Sequence, residues 1–83
     1  MNLVHKEVLY YLGKTYEELG QVNEAVVVYG KVIEMDENHT HSMLRLAKIW
    51  KEKCVFQDAE RLLKKIKDPK YHLLVLQMEG EMR

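Results

Sequence analysis

The side chains of this sequence that could bind a metal ion are two histidines close together in the chain. His39 and His41 flank Thr40, and imidazole nitrogens are common zinc ligands. A structural zinc site needs four ligands, and no cysteine or carboxylate stands at a familiar zinc-ligand spacing beside the pair. We therefore interpret the two histidines as helix-cap and surface residues, and we predict no metal.

The most nucleophilic side chain is that of Cys54, the only cysteine. The nearby cations of Lys51 and Lys53 favour a thiolate, but no histidine or acid stands at hydrogen-bond spacing to complete a catalytic group. A single cysteine also excludes an internal disulfide and an all-cysteine zinc site. Phosphate-binding glycine loops, nucleophile elbows and paired catalytic carboxylates are absent. The sequence predicts no enzyme activity and no cofactor.

Length and composition predict one small helical domain. The chain has 83 residues, of which 47% are hydrophobic and 31% charged, and it contains one proline. A domain of this size has a marginal core, so it needs very regular packing or a partner. No apolar run approaches the roughly 18 residues of a membrane span, and the start of the chain lacks the pattern of a secretory signal. We expect a cytoplasmic protein.

Apolar residues recur at intervals of three and four, which predicts amphipathic helices. The first stripe ends at Gly20, a typical helix terminator, and Asn23 and Glu24 resemble capping residues for the second. A fifth helix is predicted from Asp68 and Pro69, which suit a helix start, and its body runs from Tyr71 to about Glu81. The four earlier stripes are Leu9, Leu12, Tyr16 and Leu19; Ala25, Val28, Tyr29 and Val32; Met43, Leu46, Ala47 and Trp50; and Ala59, Leu62, Leu63 and Ile66.

The first four stripes form two copies of one pattern, and the second copy lies 34 residues after the first. At this offset Leu12 aligns with Leu46 and Tyr16 with Trp50. Small residues also align, so that each predicted hairpin has a place where its two helices can approach closely. These small pairs are Gly13 with Ala47 and Ala25 with Ala59.

This pattern resembles the tetratricopeptide repeat family, whose helix-turn-helix unit of about 34 residues has the same length as the offset. The resemblance implies an all-α fold, a right-handed superhelical stack of antiparallel hairpins (an α-solenoid) with about five helices. Residues 6–39 are expected to form the first repeat and residues 40–67 the second. Residues 68–83 would form a capping helix or the first helix of a truncated third repeat, with Gly80 at its small position. Departures from the pattern are Glu37 in place of the usual proline, and Val32 and Ile66 at a normally small position.

The family resemblance also implies a function, because such arrays hold a peptide or a partner protein on the concave face formed by the first helix of each repeat. The chaperone clamp of the family is not reproduced, since Tyr10, Lys14 and Arg45 occupy its positions. The basic character of the second repeat favours an acidic peptide or a C-terminal carboxylate. The residues predicted to line this face are Tyr10, Tyr11, Lys14, Glu17, His41, Leu44, Arg45, Lys48 and Lys51.

An alternative function is self-assembly without a peptide ligand. Residues 1–41 carry a net charge of −4 and residues 42–83 a net charge of +4, so opposite ends of two copies attract each other. The fifth helix is apolar around most of its circumference, and Leu73, Leu74 and Leu76 are a candidate self-interface. The chain is therefore expected to form a homo-oligomer or to be a fragment of a longer repeat array.

Nucleic-acid binding is a weaker alternative. The run Lys64-Lys65-Ile66-Lys67 is basic, and some helical arrays bind RNA. The acidic first half and the lack of aromatic residues within this run argue against it. We predict no nucleic-acid partner.

Overall fold

The structure is a computed structural model that describes residues 5–82. Residues 1–4 and Arg83, the last residue of the predicted third segment, lie outside this range. Within it the chain forms five α-helices and no strand, which confirms the predicted all-α fold. The helices are α1 Lys6–Glu18, α2 Val22–Met35, α3 Thr40–Glu52, α4 Phe56–Lys64 and α5 His72–Glu81, and a 3-10 turn, Pro69–Tyr71, directly precedes α5.

The two turns that end α1 and α3 are alike. The amide of Gln21 donates to the carbonyl of Tyr16 at 2.8 Å, and at the equivalent place in the second turn the amide of Val55 donates to the carbonyl of Trp50 at the same distance. This bond is part of a Schellman motif, in which one residue past the helix end takes a left-handed conformation. That residue is Gly20 in the first turn (φ +79°) and Cys54 in the second (φ +63°).

The starts of α2 and α5 differ in detail from the sequence predictions. Helix α2 begins at Val22, so Asn23 and Glu24 lie inside its first turn rather than before it. Asp68 does act as a cap, because its side chain accepts a hydrogen bond from the amide of Lys70 at 3.0 Å. What it caps is the 3-10 turn, and α5 follows from His72.

Each hairpin closes at its small residues. Gly13 is buried against the ring of Tyr29, and a Cβ atom at Gly13 would lie 2.6 Å from Cε1 of that ring. Such a distance is too short for two carbon atoms, so the close approach of α1 and α2 requires glycine. The central core continues from this contact through both hairpins to α5, and its buried members include Ala25, Tyr29, Met43, Leu46, Ala47, Ile49, Ala59, Leu62, Leu63 and Met78.

Part of the first apolar stripe does not reach the core. Leu12 is 39% exposed and Leu19 is also exposed, whereas Leu46, the equivalent of Leu12, is 3% exposed. Helix α2 packs against α3 and covers the face that contains Leu46. Among the described residues no helix precedes α1 to cover its equivalent face, so Leu12 and Leu19 lie outside the core.

Helix α5 packs on the second hairpin through one face only. Met78 is buried, and Val75 and Met82 pack against the core beside it. Leu73, Leu74 and Leu76 are exposed.

No helix in the described part of the chain is long and apolar enough to cross a membrane.

Candidate binding surface

Helices α1, α3 and α5 share one surface, and their long side chains cross the gaps between them. Arg45 on α3 donates through Nε to Oε1 of Glu17 on α1 at 3.0 Å. Lys51 on α3 donates to Oε1 of Glu81 on α5 at 2.5 Å. These two ion pairs connect α1 to α3 and α3 to α5, and we call the face on which they lie the candidate surface.

A row of aromatic rings runs across this surface from α1 to the start of α5. The rings of Tyr11 and Tyr10 are 5.3 Å apart, those of Tyr10 and His41 are 6.1 Å apart, and those of His41 and Tyr71 are 5.8 Å apart. The Tyr71 hydroxyl also lies 3.3 Å from Nε2 of His41. Tyr11 and His41 are exposed, while Tyr10 and Tyr71 are half-buried. We call these four residues the aromatic row.

The cations on the candidate surface differ in what they contact. The ammonium of Lys14 lies 5.8 Å from the ring centroid of Tyr10 and 5.7 Å from that of Tyr11, within the range of a cation–π interaction. Arg45 and Lys51 are already ion-paired with carboxylates, and Lys48 is exposed. Direct charge for an anionic ligand therefore comes chiefly from Lys14 and Lys48.

The Glu17 carboxylate is the centre of a network that joins three helices. Its Oε1 atom accepts a hydrogen bond from the Tyr29 hydroxyl at 2.5 Å as well as the bond from Arg45. Burial raises the pKa of the Tyr29 hydroxyl, and the bond to Glu17 raises it further. Burial lowers the pKa of Arg45, but its contacts with Tyr29 and with the Glu17 charge outweigh burial and raise it above its ordinary value. Glu17 thus links α1 to α2 through Tyr29 and to α3 through Arg45.

The two histidines considered as metal ligands have other contacts. Nδ1 of His39 accepts a hydrogen bond from the amide of Ser42 at 3.3 Å and so caps α3, while His41 belongs to the aromatic row. Their rings are 6.5 Å apart. Within residues 5–82 no three His, Cys, Asp or Glu side chains come together as a metal site would require.

Cys54 is exposed and lies in the turn after α3. Its neighbouring lysines point to other partners, since Lys51 binds Glu81 and Lys53 donates to Oδ1 of Asn23 at 3.2 Å. The backbone of Cys54 has the same left-handed conformation as that of Gly20, and the described residues around the thiol supply no catalytic partner.

Tyr71 was not predicted as part of this surface, and neither was the hydrogen bond from the buried Tyr29 to Glu17. All nine predicted residues lie on α1 or α3, and Leu44 among them packs partly against the core. Tyr71 was predicted only as the first residue in the body of the fifth helix. The signal that could have placed it on this surface is the helix start at Asp68 and Pro69. Tyr29 was taken as a core aromatic, and nothing in the periodicity shows that its hydroxyl reaches Glu17.

An open depression of about 530 Å³ lies elsewhere, beside the ends of α2 and α4. It contains none of the predicted site residues, and its walls carry charges of both signs from Glu34, Glu37, Lys65 and Lys67. It offers neither an aromatic floor nor one dominant charge.

The stacked hairpins and the surface on their first helices define a helical-repeat protein of the α-solenoid class. A model of the tetratricopeptide repeat family matches residues 7–38. Over α1 and α2 the chain is thus similar to this family, in agreement with the resemblance seen in the sequence pattern. No curated protein and no solved structure matches the chain significantly.

Proposed function

We propose that this protein is an interaction module that binds a short, extended, acidic peptide on the candidate surface, which is the concave face of the array. Tetratricopeptide repeats generally mediate protein–protein interaction, which supports the class of function. In this proposal residues 6–39 and 40–67 are two repeats, and residues 68–83 are a cap or the opening helix of a third. The observation that carries the proposal is the aromatic row.

The row is suited to an extended backbone. Its three ring-to-ring steps are 5.3, 6.1 and 5.8 Å long. Together they are as long as a peptide of about five residues in an extended conformation. Tyrosine provides rigid apolar contact together with a hydroxyl that can bond a peptide group. Tyr11 and Tyr71 are the two ends of the row, so a bound peptide would cross α1, α3 and the start of α5.

The positive charges of the candidate surface favour an acidic peptide. Lys14 lies beside the first two rings, and Lys48 is exposed on α3 one turn after Leu44. Arg45 and Lys51 add positive charge while remaining paired with their carboxylates. Acidic side chains or a terminal carboxylate would be attracted by this set, and the gain would appear mostly as faster association and as specificity.

The proposal includes no enzyme activity, no cofactor and no nucleic-acid ligand. Cytoplasmic location stays a prediction.

The test uses a peptide selected from a random displayed library, carrying a fluorescent label, with its Kd measured by fluorescence anisotropy. Reversing Lys14 and Lys48 together to Glu is expected to raise the Kd of an acidic peptide by about tenfold or more, roughly 1.4 kcal/mol. Reversing Arg45 is a poorer test, because it would place a second carboxylate beside Glu17 in a half-buried position.

The matched control is Lys31→Glu, the same charge reversal at an exposed position of α2. It should leave Kd within about twofold, since it lies on a second helix of a hairpin and its charge is screened over about 8–10 Å. Circular dichroism should show unchanged helicity in both variants. Equal Kd values for the wild type and the Lys14 and Lys48 variant would reject the concave-face site.

A further inference from the structure

Both ends of the aromatic row carry a lysine ammonium against a tyrosine ring. At the α1 end, Lys14 lies 5.7 Å from the ring centroid of Tyr11. At the α5 end, Lys70 lies 5.7 Å from the ring centroid of Tyr71. Both distances are within the roughly 6 Å range of a cation–π interaction. Lys70 is exposed and Lys14 is half-buried, so a peptide lying along the row would meet an ammonium group at each end.

The Lys14 ammonium lies against these rings although two carboxylates are close to it in the helix. Glu17 and Glu18 follow Lys14 by three and four residues, the spacings at which helical side chains form ion pairs. Glu17 is paired with Arg45 instead, and Lys14 forms no ion pair with a described residue. An ammonium has three hydrogen-bond donors, which Lys14 can offer to a carboxylate of a bound peptide.

Lys70 is placed in the same way at the other end of the row. The nearest carboxylate in the sequence is that of Asp68, which accepts a hydrogen bond from the Lys70 amide at 3.0 Å and so caps the 3-10 turn. The ammonium of Lys70 extends to the Tyr71 ring and forms no ion pair within residues 5–82. Each end of the row thus carries one cation held against a ring.

The length of the row sets how far apart two acidic side chains of a bound peptide must be to reach both cations. The steps from Tyr10 to His41 and from His41 to Tyr71 are 6.1 and 5.8 Å long, and together they span about four extended residues. Lys14 is near Tyr10 as well as Tyr11, so it marks the start of this span. Side chains four residues apart in an extended chain point to the same side, which allows both to face the surface.

We propose that the peptide bound on the candidate surface carries two acidic side chains about four residues apart, one paired with Lys14 and the other with Lys70. This inference rests on the proposed function and adds the spacing of the charges. The residues between the two acids lie on Tyr10 and His41, where an apolar side chain can contact the rings. A peptide whose acids are adjacent reaches only one of the two lysines, so the row selects peptides by the spacing of their acids.

Single variants test the two ends separately. Lys14→Gln and Lys70→Gln each remove one ammonium, and Gln is similar to Lys in helix propensity. Lys70→Arg keeps the charge and should behave as the wild type. Lys67→Gln is the matched control, because this exposed lysine belongs to the same segment as Lys70 but lines the depression beside the ends of α2 and α4. Circular dichroism should show equal helicity in all of these proteins.

The first measurement is the selection of peptides from a random displayed library on each protein. The wild type and the Lys67→Gln variant should enrich peptides with two acidic positions about four residues apart. Lys14→Gln and Lys70→Gln should each enrich peptides with only one of these acids. The acid that is kept should differ between the two variants, because each variant loses a different end of the row.

The second measurement is a double-mutant cycle between protein and peptide. It uses the peptide most enriched on the wild type, acetylated and amidated so that neither terminus adds charge. Lys70→Gln should raise its Kd by about threefold at low salt, as expected for an exposed ion pair. Once the acid for that end of the peptide is replaced by Gln, the same variant should change Kd by less than about 1.5-fold. Lys14→Gln should show the same coupling with the other acid.

The outcomes separate this inference from the proposed function. A library that yields no peptide on the wild type would reject both. Peptides that bind but carry a single acid, or two adjacent acids, would leave the proposed function standing and overturn the two-ended arrangement. Equal effects of Lys67→Gln and Lys70→Gln would also overturn it, because the general charge of the segment would then act in place of the ammonium on Tyr71.

Discussion

Cys54 and Gly20 have the same left-handed backbone conformation at equivalent positions of two successive turns, with φ angles of +63° and +79°. For a residue with a Cβ atom this conformation costs about 1–2 kcal/mol, and for glycine it costs almost nothing. The second turn is therefore strained and the first is not. The thiol is exposed, so little packing compensates for the strain.

Cys54→Gly is accordingly expected to raise the free energy of unfolding by about 1 kcal/mol, measured by urea denaturation followed by circular dichroism. Gly20→Ala is the matched variant and should lower it by a similar amount, because it introduces the same strain into the first turn. A destabilised Cys54→Gly protein would show that the thiol has a stabilising role that the structure does not reveal.

Gly13 packs so closely against the Tyr29 ring that a Cβ atom at this position would lie 2.6 Å from Cε1 of the ring. Gly13→Ala should destabilise the protein by about 1–3 kcal/mol, because the new methyl group overpacks the core. In the second hairpin the equivalent positions are occupied by Ala47, in place of Gly13, and Leu63, in place of Tyr29.

Replacing Gly13 by Ala and Tyr29 by Leu together gives the first hairpin the same pair of residue types as the second. In a double-mutant cycle the double variant should be more stable than the sum of the two single changes predicts, by at least about 0.5 kcal/mol. Strict additivity would mean that these two positions are not in the contact that the structure shows.

At the scale of elements, the hydrogen bonds that Glu17 accepts from Tyr29 and Arg45 connect α1 to both α2 and α3. Burial of the Tyr29 hydroxyl and its bond to Glu17 raise its pKa above that of an unfolded tyrosine, which is about 10. Folding therefore favours the protonated phenol. This contribution to stability is complete below pH about 10 and is lost as pH rises above it, because the unfolded chain then ionises while the folded chain does not.

The expected result is that the free energy of unfolding falls more steeply above pH about 10 in the wild type than in a Tyr29→Phe variant. The slopes should differ by up to about 1.4 kcal/mol per pH unit, measured by urea denaturation at a series of alkaline pH values. Lysine deprotonation affects both proteins equally and cancels in the comparison. Parallel slopes would contradict the proposed state of the Tyr29 hydroxyl.

The helices and their turns were predictable because local residue types determine them. The internal repeat aligned Gly13 with Ala47 and located the turn at Gly20, and the structure repeats its hairpin at the same offset. Exposure of Leu12 was not predictable, since periodicity identifies an apolar face without showing whether another helix covers it. The reach of the Tyr29 hydroxyl and the place of Tyr71 depend on packing between elements far apart in sequence.

The solenoid as a whole exposes different residue types on its first helices and at its two ends. The first helices of the hairpins carry the aromatic row and the lysines, and the outer faces of α1 and α5 carry the exposed leucines. Stacking of each unit on its neighbour is what such repeats require for stability.

The binding site of the selected acidic peptide can be mapped by following the amide resonances of the isotopically labelled protein during a titration. The amides that shift should cluster at Tyr10, Tyr11, Lys14, His41 and Tyr71, on three helical elements but one surface. Shifts confined to α2 and α4, around Lys31 or the depression beside Glu34 and Lys65, would contradict it.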